Sequence, residues 1–441
     1  MPVSRSESRQ HQKQQRARRM KRLFAINLVL LLIIGALAVV YVVQRQDGKE
    51  KLNNTAAGSD SAGQTANAGN ESGTDDQSPD QANTDASETP ETDDPTEGHT
   101  TYEPISEDEP SSDNEAATGG TVTPAAGERV NLSFTGDVLL AASVEKLMLK
   151  NGYEYPYAKV LNQLKTPDLM AVNLETPVTL RGTPAENKQY VYKSSPDALP
   201  ALKAAGIDVV NLANNHTLDQ GEEGLLDTIG HLDEAGIPNM GAGRDELEAF
   251  KPVLLEAKGI SVAFLGLTRV IPVGSWKATK DHAGLAETYD STRAVAAIKQ
   301  AKTQADIVVV MVHWGIERED LPNNDQKRLA HEYIDAGADL VIGSHPHVLQ
   351  GFESYKGKWI AYSLGNFIFS GMTPDTTKDT GVLDAACNVK GDCSLKFQPM
   401  RAVQSQPAPL AGEEGVALLK RMSSISFHAT VDEAGNIQSK E

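Results

Sequence analysis

Cysteine is scarce in this chain, with only Cys387 and Cys393 present. Two are too few for a disulfide framework, and their spacing matches no zinc knuckle. Aromatic residues are also few, at 5%. Basic residues fall short of acidic ones, 41 against 60, giving a formal net charge of -19. That balance argues against a surface that grips nucleic acid, so no nucleic-acid partner is expected. No internal repeat is found. The 441 residues are enough for two or more ordinary domains.

The deficits are uneven. From about position 47 to 127 large apolar residues nearly vanish, and Asp75-Asp76, Asp93-Asp94 and Glu107-Asp108-Glu109 typify what remains. Such a segment cannot bury enough apolar surface to offset its ordering entropy. Residues 44–128 therefore read as a disordered acidic linker, and most of the net charge belongs to it. A neutral flexible chain of ~80 residues would span roughly 50 Å root-mean-square, and self-repulsion extends it further. That reach would hold a domain off a membrane or within a wall. An acidic partner-binding tract is the other reading of the same composition.

Ahead of the linker, Arg5, Arg9, Lys13, Arg16, Arg18, Arg19, Lys21 and Arg22 form a basic tail, 1–22, before an apolar run, 23–43. Asn27 is the run's only strongly polar member, and Arg45 closes it. Its length suits the ~30 Å of a hydrocarbon core. The basic flank should stay cytoplasmic, which sends everything after the run outside. A cleaved signal peptide competes with this reading. The run is long for a signal peptide, however, and residues 41–46 are large rather than small. A single-pass anchor in the cell membrane is expected, with the C-terminal domain extracellular. Cys387 and Cys393, which enclose Asn-Val-Lys-Gly-Asp, then lie in an oxidising compartment where a local disulfide is expected.

The composition changes at Arg129, and 129–441 reads as a folded domain. Apolar runs at 130–135, 169–174, 207–212, 253–257, 260–267, 307–312, 338–342 and 359–363 read as strands. Segments 140–149, 197–205, 222–235, 291–302 and 325–336 read as helices. Lys258-Gly259 suits a hairpin turn. A strand near 395–403, a short helix at 415–422 and a closing strand finish the chain. Strands alternating with helices indicate an α/β class with packed layers. In open α/β sheets, ligands bind beyond the C-terminal ends of the strands.

Polar residues gather at those ends: Asp137, Asn173, Glu175, Asn215, His216, His313, His345 and His347. His345 and His347 follow an apolar run at i and i+2, which places them on one side of an extended backbone. Each residue has a plainer role open to it. Asp137 would cap a helix near Leu140, Glu175 would be a surface residue, Asn215 a loop former, and His216 and His313 structural histidines. Together, carboxylates, an amide and imidazoles suit one or two first-row divalent ions better than Ca²⁺. In the polar stretch 181–193, Lys188, Tyr190, Tyr192 and Lys193 either contact an anionic substrate or belong to a solvated loop. The remaining histidines have no such company.

Several motifs carry a resemblance to a known family. They are Phe134-Thr-Gly-Asp-Val-Leu-Leu-Ala141, Asn173-Leu-Glu-Thr-Pro177, Asn211-Leu-Ala-Asn-Asn-His216, Val312-His-Trp-Gly315, Gly343-Ser-His-Pro-His347 and Tyr362-Ser-Leu-Gly-Asn-Phe367. In this order, over 130–371, they resemble the CapA family of poly-γ-glutamate capsule biosynthesis proteins, called PgsA in some bacteria. That family is similar to the calcineurin-like metallophosphoesterases. The resemblance implies a four-layered sandwich of two β-sheets flanked by helices. It implies that Asp137 and His347 bind a first metal and that Asn215, His313 and His345 bind a second. Glu175 would bridge the two, and His216 would stand beside the leaving group as catalytic residue. The ions would be drawn from Mn, Fe and Zn. One departure is plain: where the phosphoesterase pattern has a histidine two residues after the first Asp, this chain has Leu139. The first metal position is thinner for it.

Such a centre would lower the pKa of a water toward neutrality, for attack on a phosphorus or a carbonyl, with His216 donating a proton. Three functions fit. The first is a membrane-anchored extracellular component of poly-γ-glutamate synthesis and export, working with other synthase subunits and the polymer. The second is a stand-alone surface metallophosphoesterase. The third is a non-catalytic scaffold that keeps the fold.

Overall fold

A computed structural model of the chain describes residues 128–440, apart from Asn187. The basic tail, the apolar run and the acidic linker lie outside the described residues, as do the expectations placed on them. Among the described residues no helix is long and apolar enough to cross a membrane.

The strands form two large sheets. The first runs in the order β17 (Ala429–Val431), β18 (Asn436–Ser439), β15 (Cys393–Val403), β14 (Asp379–Cys387), β1 (Val130–Val138), β2 (Leu169–Leu174), β3 (Val209–Asn211), β4 (Asn239–Met240). Beside this path, β13 (Asn366–Ile368) pairs with β1 and β16 (Gln406–Pro409) with β15. The second sheet runs β11 (Leu349–Tyr355), β12 (Lys358–Leu364), β10 (Leu340–Ser344), β9 (Ile307–His313), β7 (Ile260–Thr268), β6 (Val253–Ala257). A two-stranded ribbon joins β5 (Ala242–Gly243) to β8 (Gly284–Leu285).

Alternation along β9 shows how the layers stack. Ile307, Val309 and Met311 face the other sheet and join Leu132, Phe134, Ala171, Phe264 and Ile342 in one core. Val308, Val310 and Val312 face outward. There they meet α6 (Thr292–Lys302) and α7 (Asn324–Ala336) through Ile298, Leu329 and Tyr333. On the first sheet, Val138, Met170, Val172 and Val210 pack outward. They meet α1 (Ser143–Asn151), α2 (Leu161–Lys165), α3 (Leu199–Ala204) and α4 (Gly221–Ala235). A short α5 (Glu246–Ala249) precedes β6, and α8 (Gly412–Ser424) adds Leu418, Leu419 and Met422 to the central core. The order is helix, sheet, sheet, helix, the four layers the resemblance implies. A strand buried on both faces needs apolar residues at every position, which is why β9 reads as an unbroken run.

Local signals hold the elements in place. Helix α7 starts at a capping box: Asn323 Oδ1 accepts from the Gln326 amide at 2.9 Å, and Gln326 Oε1 accepts from the Asn323 amide at 3.0 Å. The turn from β6 to β7 has Lys258 and Gly259 at φ 54° and 72°, the positive pair that a tight hairpin requires. Cys387 and Cys393 are bonded, closing the turn between β14 and β15.

Two long strands, β11 and β14, lie outside the sequence expectation, as do several strands of two to four residues. Strand β11 carries Gln350 and Glu353, buried polar residues that broke the apolar pattern. Both are satisfied: Gln350 Oε1 accepts from Gln326 Nε2 at 2.8 Å, and Glu353 accepts from the Tyr362 hydroxyl at 2.5 Å. Strand β14 carries Asp384, which accepts from Ser133 Oγ and Gln398 Nε2, both at 2.6 Å. The first helix begins at Ser143, not Leu140, so Asp137 caps nothing.

The parallel strands β1, β2 and β3 end together, with Asp137 beside Asn173 and Asn173 beside Asn211. In the second sheet Thr268, His313 and Ser344 align likewise. The two carboxyl edges face the same space. Gly136 lets the edge of the first sheet approach the β12–β13 junction, where Gly365 O accepts from the Asp137 amide at 2.9 Å. A Cβ on Gly136 would lie 1.8 Å from that carbonyl oxygen. Gly136→Ala is therefore expected to cost about 1–3 kcal/mol, as overpacking does. It should appear as a lower denaturant midpoint of the full chain at unchanged slope; an unmoved midpoint would contradict the close approach.

Candidate metal centre

Asp137 ends β1 and is fully buried. Its Oδ1 accepts from Asn173 Nδ2 at 2.8 Å. Its Oδ2 lies 3.3 Å from the His345 amide and 3.4 Å from His347 Nδ1. Glu175 follows β2, its amide donating to Val138 O at 2.9 Å, and it too is fully buried. His313 ends β9, with Nδ1 3.0 Å from Ser344 Oγ and Nε2 3.0 Å from Asn215 Oδ1. Two ligand atoms at neighbouring vertices around bonds of about 2.1 Å lie about 3 Å apart, so the last distance fits a shared ion.

Beyond β10 the structure departs from an extended backbone. His345 and His347 have φ of 98° and 57°, so the segment turns instead of continuing the strand. The rings diverge. His345 lies 4.7 Å from the His313 ring and His347 lies 4.7 Å from the Phe369 ring. The carboxamide of Asn366, on β13, accepts from His347 Nδ1 at 2.9 Å. That bond places a proton on Nδ1 and turns Nε2 toward Glu175 Oε1.

Two atoms test whether the residues fit a cation. Glu175 Oε1 and His345 Nδ1 are buried with no hydrogen-bond partner. Glu175 Oε1 is faced by His216 Nε2 and His347 Nε2, each at 3.9 Å. Those separations are too long for hydrogen bonds and leave room for a shared atom between them. A buried carboxylate oxygen without a donor is costly unless something cationic meets it. Among the described residues, two groups of three bring one ligand atom each within 4.8 Å of one another: Asp137, Glu175 and His313, and Glu317, His345 and His347. The donor set fits a divalent first-row ion.

Electrostatics point the same way. Burial, reinforced by the Asp137 charge, pushes Glu175 well above the usual carboxylate range. Burial works against Asp137 as well, but the His347 hydrogen bond and charge outweigh it and hold that carboxyl low. Burial would lower His347, yet Asp137 raises it. Burial and neighbouring imidazoles depress His313 strongly and bring His345 down to about 3. Neutral imidazoles are the forms that ligate.

His216 sits at the rim of this group. Its Nδ1 is 2.7 Å from Asp219 Oδ2, and its Nε2 faces Glu175. Burial lowers its pKa in spite of Asp219. The Lys188 ammonium bonds to Asp219 Oδ1 and Asn215 O and lies 2.9 Å from His216 Nδ1. The Tyr192 amide donates to Asp219 Oδ2 at 2.7 Å, and the Tyr192 ring lies 4.7 Å from the His216 ring. Of the polar stretch, then, Lys188 and Tyr192 belong to the site. Tyr190 is exposed but stacks on Tyr192 at 6.2 Å, and Lys193 is solvated. A cavity of about 250 Å³ opens over the centre, lined by Tyr190, Tyr192, His216, Glu317, His347 and Phe369 among others. Leu139 is buried in a small apolar cluster with Ala141 and Phe369.

All eight polar residues gathered at the strand ends, Asp137, Asn173, Glu175, Asn215, His216, His313, His345 and His347, meet here. Sequence reasoning gave no role to Asp219, Asn366 or Glu317. Asp219, at His216 plus three, is the one a histidine–carboxylate spacing would have found. His231 and His331 pair with Glu234 and Glu353 elsewhere.

The sequence model of the bacterial capsule synthesis protein family PGA_cap matches residues 131–371. The capsule biosynthesis protein CapA of Bacillus anthracis is 34% identical over 290 residues, covering 64% of this chain and 70% of that one. The PGA biosynthesis protein CapA of Bacillus subtilis (strain 168) is 34% identical over 284 residues, with 64% and 74% covered. A probable polyglutamine synthesis accessory protein of Mycobacterium tuberculosis is 34% identical over 257 residues, with 56% and 68% covered.

If the orphaned atoms serve a cation, His345→Ala and His347→Ala should each lower divalent metal content at unchanged far-ultraviolet circular dichroism. Elemental analysis of the purified full chain, after reconstitution with Mn²⁺ or Zn²⁺, provides the check. Full metal occupancy in both variants would refute the assignment.

Proposed function

The chain belongs to the bacterial capsule synthesis protein family, and on that footing we propose that it is an accessory protein of poly-γ-glutamate capsule synthesis or export. In this reading the domain stands outside the cell on the 23–43 anchor, and the 44–128 segment spaces it from the membrane. The observation that carries the active reading is the buried Glu175 Oε1, partnerless and faced by two imidazole nitrogens. The accessory role is supported by the name of the Mycobacterium tuberculosis relative, a probable polyglutamine synthesis accessory protein.

Asp137, Glu175, Asn215, His313, His345 and His347 would hold one or two of Mn, Fe or Zn. A divalent cation there supplies Lewis acidity and a nucleophile at neutral pH. The chain's own groups do the remaining work. Asp219 orients His216 through Nδ1 so that Nε2 faces the centre, where it moves a proton to or from the reacting group. Lys188, over the Trp276 ring at 5.2 Å, balances the Asp219 charge and fixes the loop that carries Asn215. Tyr190, Tyr192 and Phe369 wall the approach. The reaction supported is hydrolysis or transfer at an ester or amide bond.

In a capsule-producing host the His216→Ala, His345→Ala double variant should lose most polymer output while the protein stays abundant and folded. Unchanged output would remove the catalytic role and leave a scaffold. Asp219→Asn should retain wild-type metal content and still lower output, since the imidazole loses its orienting carboxylate. Rapid metal-dependent turnover of a generic phosphodiester by the full chain, with polymer output indifferent to these variants, would point instead to a stand-alone phosphoesterase.

A further inference from the structure

We infer that Glu317 is a ligand of this centre, forming with His345 and His347 an outer two-imidazole, one-carboxylate position that compensates for Leu139. The inference rests on reading the centre as a divalent metal site.

Leu139 stands where the phosphoesterase pattern has a histidine. Its side chain is buried among Ala141 and Phe369 and offers no donor atom. Glu317 approaches from the loop after β9. One carboxylate oxygen and one nitrogen from each of His345 and His347 lie within 4.8 Å of one another. Two imidazoles and a carboxylate, with the remaining positions open, make a ligand set used by catalytic zinc and by non-haem iron.

Glu317 is exposed, and an exposed glutamate is ordinarily a solvated one. Its backbone argues otherwise. The Trp314 amide donates to Ser344 O at 3.1 Å, and the Arg318 amide donates to Pro346 O at 2.8 Å. Gln350 Nε2 donates to Glu319 O at 2.8 Å. The Glu317 loop is thus stitched, on both sides of the carboxylate, to the segment bearing the two histidines. Gly315 and Arg318 take φ of 94° and 64° to make the turn, and for Arg318 that conformation is strained. Among the described residues no Lys or Arg forms an ion pair with Glu317. The second, independent observation is His345 Nδ1, which is buried and has no partner. Glu317 also lines the cavity with His216 and His347, so an ion held there would face incoming substrate.

The test uses the full-length chain, stripped with chelator and titrated with Co²⁺, whose visible absorption reports coordination. Zn²⁺ affinity is then measured by competition with an indicator. Partners that merely support a ligand are worth about 10–100-fold in metal affinity, so losing a ligand should cost roughly tenfold or more. Glu317→Gln is expected to weaken Zn²⁺ binding by that factor and to change the Co²⁺ spectrum, with circular dichroism unchanged. Glu317→Asp should recover part of the loss. Wild-type affinity and spectrum in Glu317→Gln, alongside loss in His345→Ala, would overturn the role of Glu317 and leave the centre standing. A wild-type chain that binds neither ion would overturn the centre and Glu317 with it.

Discussion

One buried amide ties the two sheets together at their carboxyl edges. Asn173 Nδ2 donates to Asp137 Oδ1 at 2.8 Å and reaches Glu175 Oε2 and His313 Nδ1, both at 3.4 Å. Its Oδ1 accepts from Asn211 Nδ2 at 3.0 Å and from Asn214 Nδ2 at 3.3 Å. The amide therefore touches three strand ends of the first sheet and one of the second. Both halves of the carboxamide are engaged, so the group has little freedom to turn. Asn214 passes the constraint on: its Oδ1 accepts from the His216 amide at 3.0 Å, which sets the rim where Asn215 and His216 stand. A buried amide engaged at both its oxygen and its nitrogen specifies one geometry for the groups around it.

That network leaves Asp137 and Glu175 close together and out of water. Two carboxylates cannot both stay ionised in such a place without compensating charge. The chain answers half of the need internally, because His347 pairs with Asp137. It gives Glu175 no donor at Oε1. A proton can satisfy that oxygen, and so can a cation. Burial keeps His313 and His345 neutral, the form in which each presents a lone pair that a cation can share. The architecture keeps the cost of this arrangement local. The remaining core between the sheets is apolar, from Leu132 and Phe134 to Val309 and Ile342.

Much of this was legible in the chain. Unbroken apolar runs marked the parallel strands, and a polar residue at the end of each marked the edge where a ligand would bind. Asp137, Glu175 and His313 were readable because a buried strand leaves so few polar positions. The signal failed where burial and polarity coincide. Strand β11 buries Gln350 and Glu353, each satisfied by a side chain on another element, and no periodicity reveals that. Lys188 was open between a substrate contact and a solvated loop, and only the fold brings Asp219 to its ammonium. Glu317 had no signal at all, since its place depends on backbone bonds between two loops.

The histidine pair shows why motif spacing alone misleads about geometry. On an extended strand, residues two apart project the same way and would serve one side of a site. Here Pro346 sits between two residues of positive φ, and the rings point to different neighbours. Backbone of this kind costs of order 1–3 kcal/mol per residue and persists only where surroundings over-determine it. The surroundings are identifiable. Asp137 Oδ2 accepts from the His345 amide, Arg318 donates to the Pro346 carbonyl, and Asn366 holds the His347 ring. Each restraint comes from a different element: β1, the loop after β9, and β13. A peptide bearing Gly-Ser-His-Pro-His would lack all three and would relax toward the extended form. The arrangement of donors at this centre is thus a property of two sheets meeting, and the motif supplies only the donors.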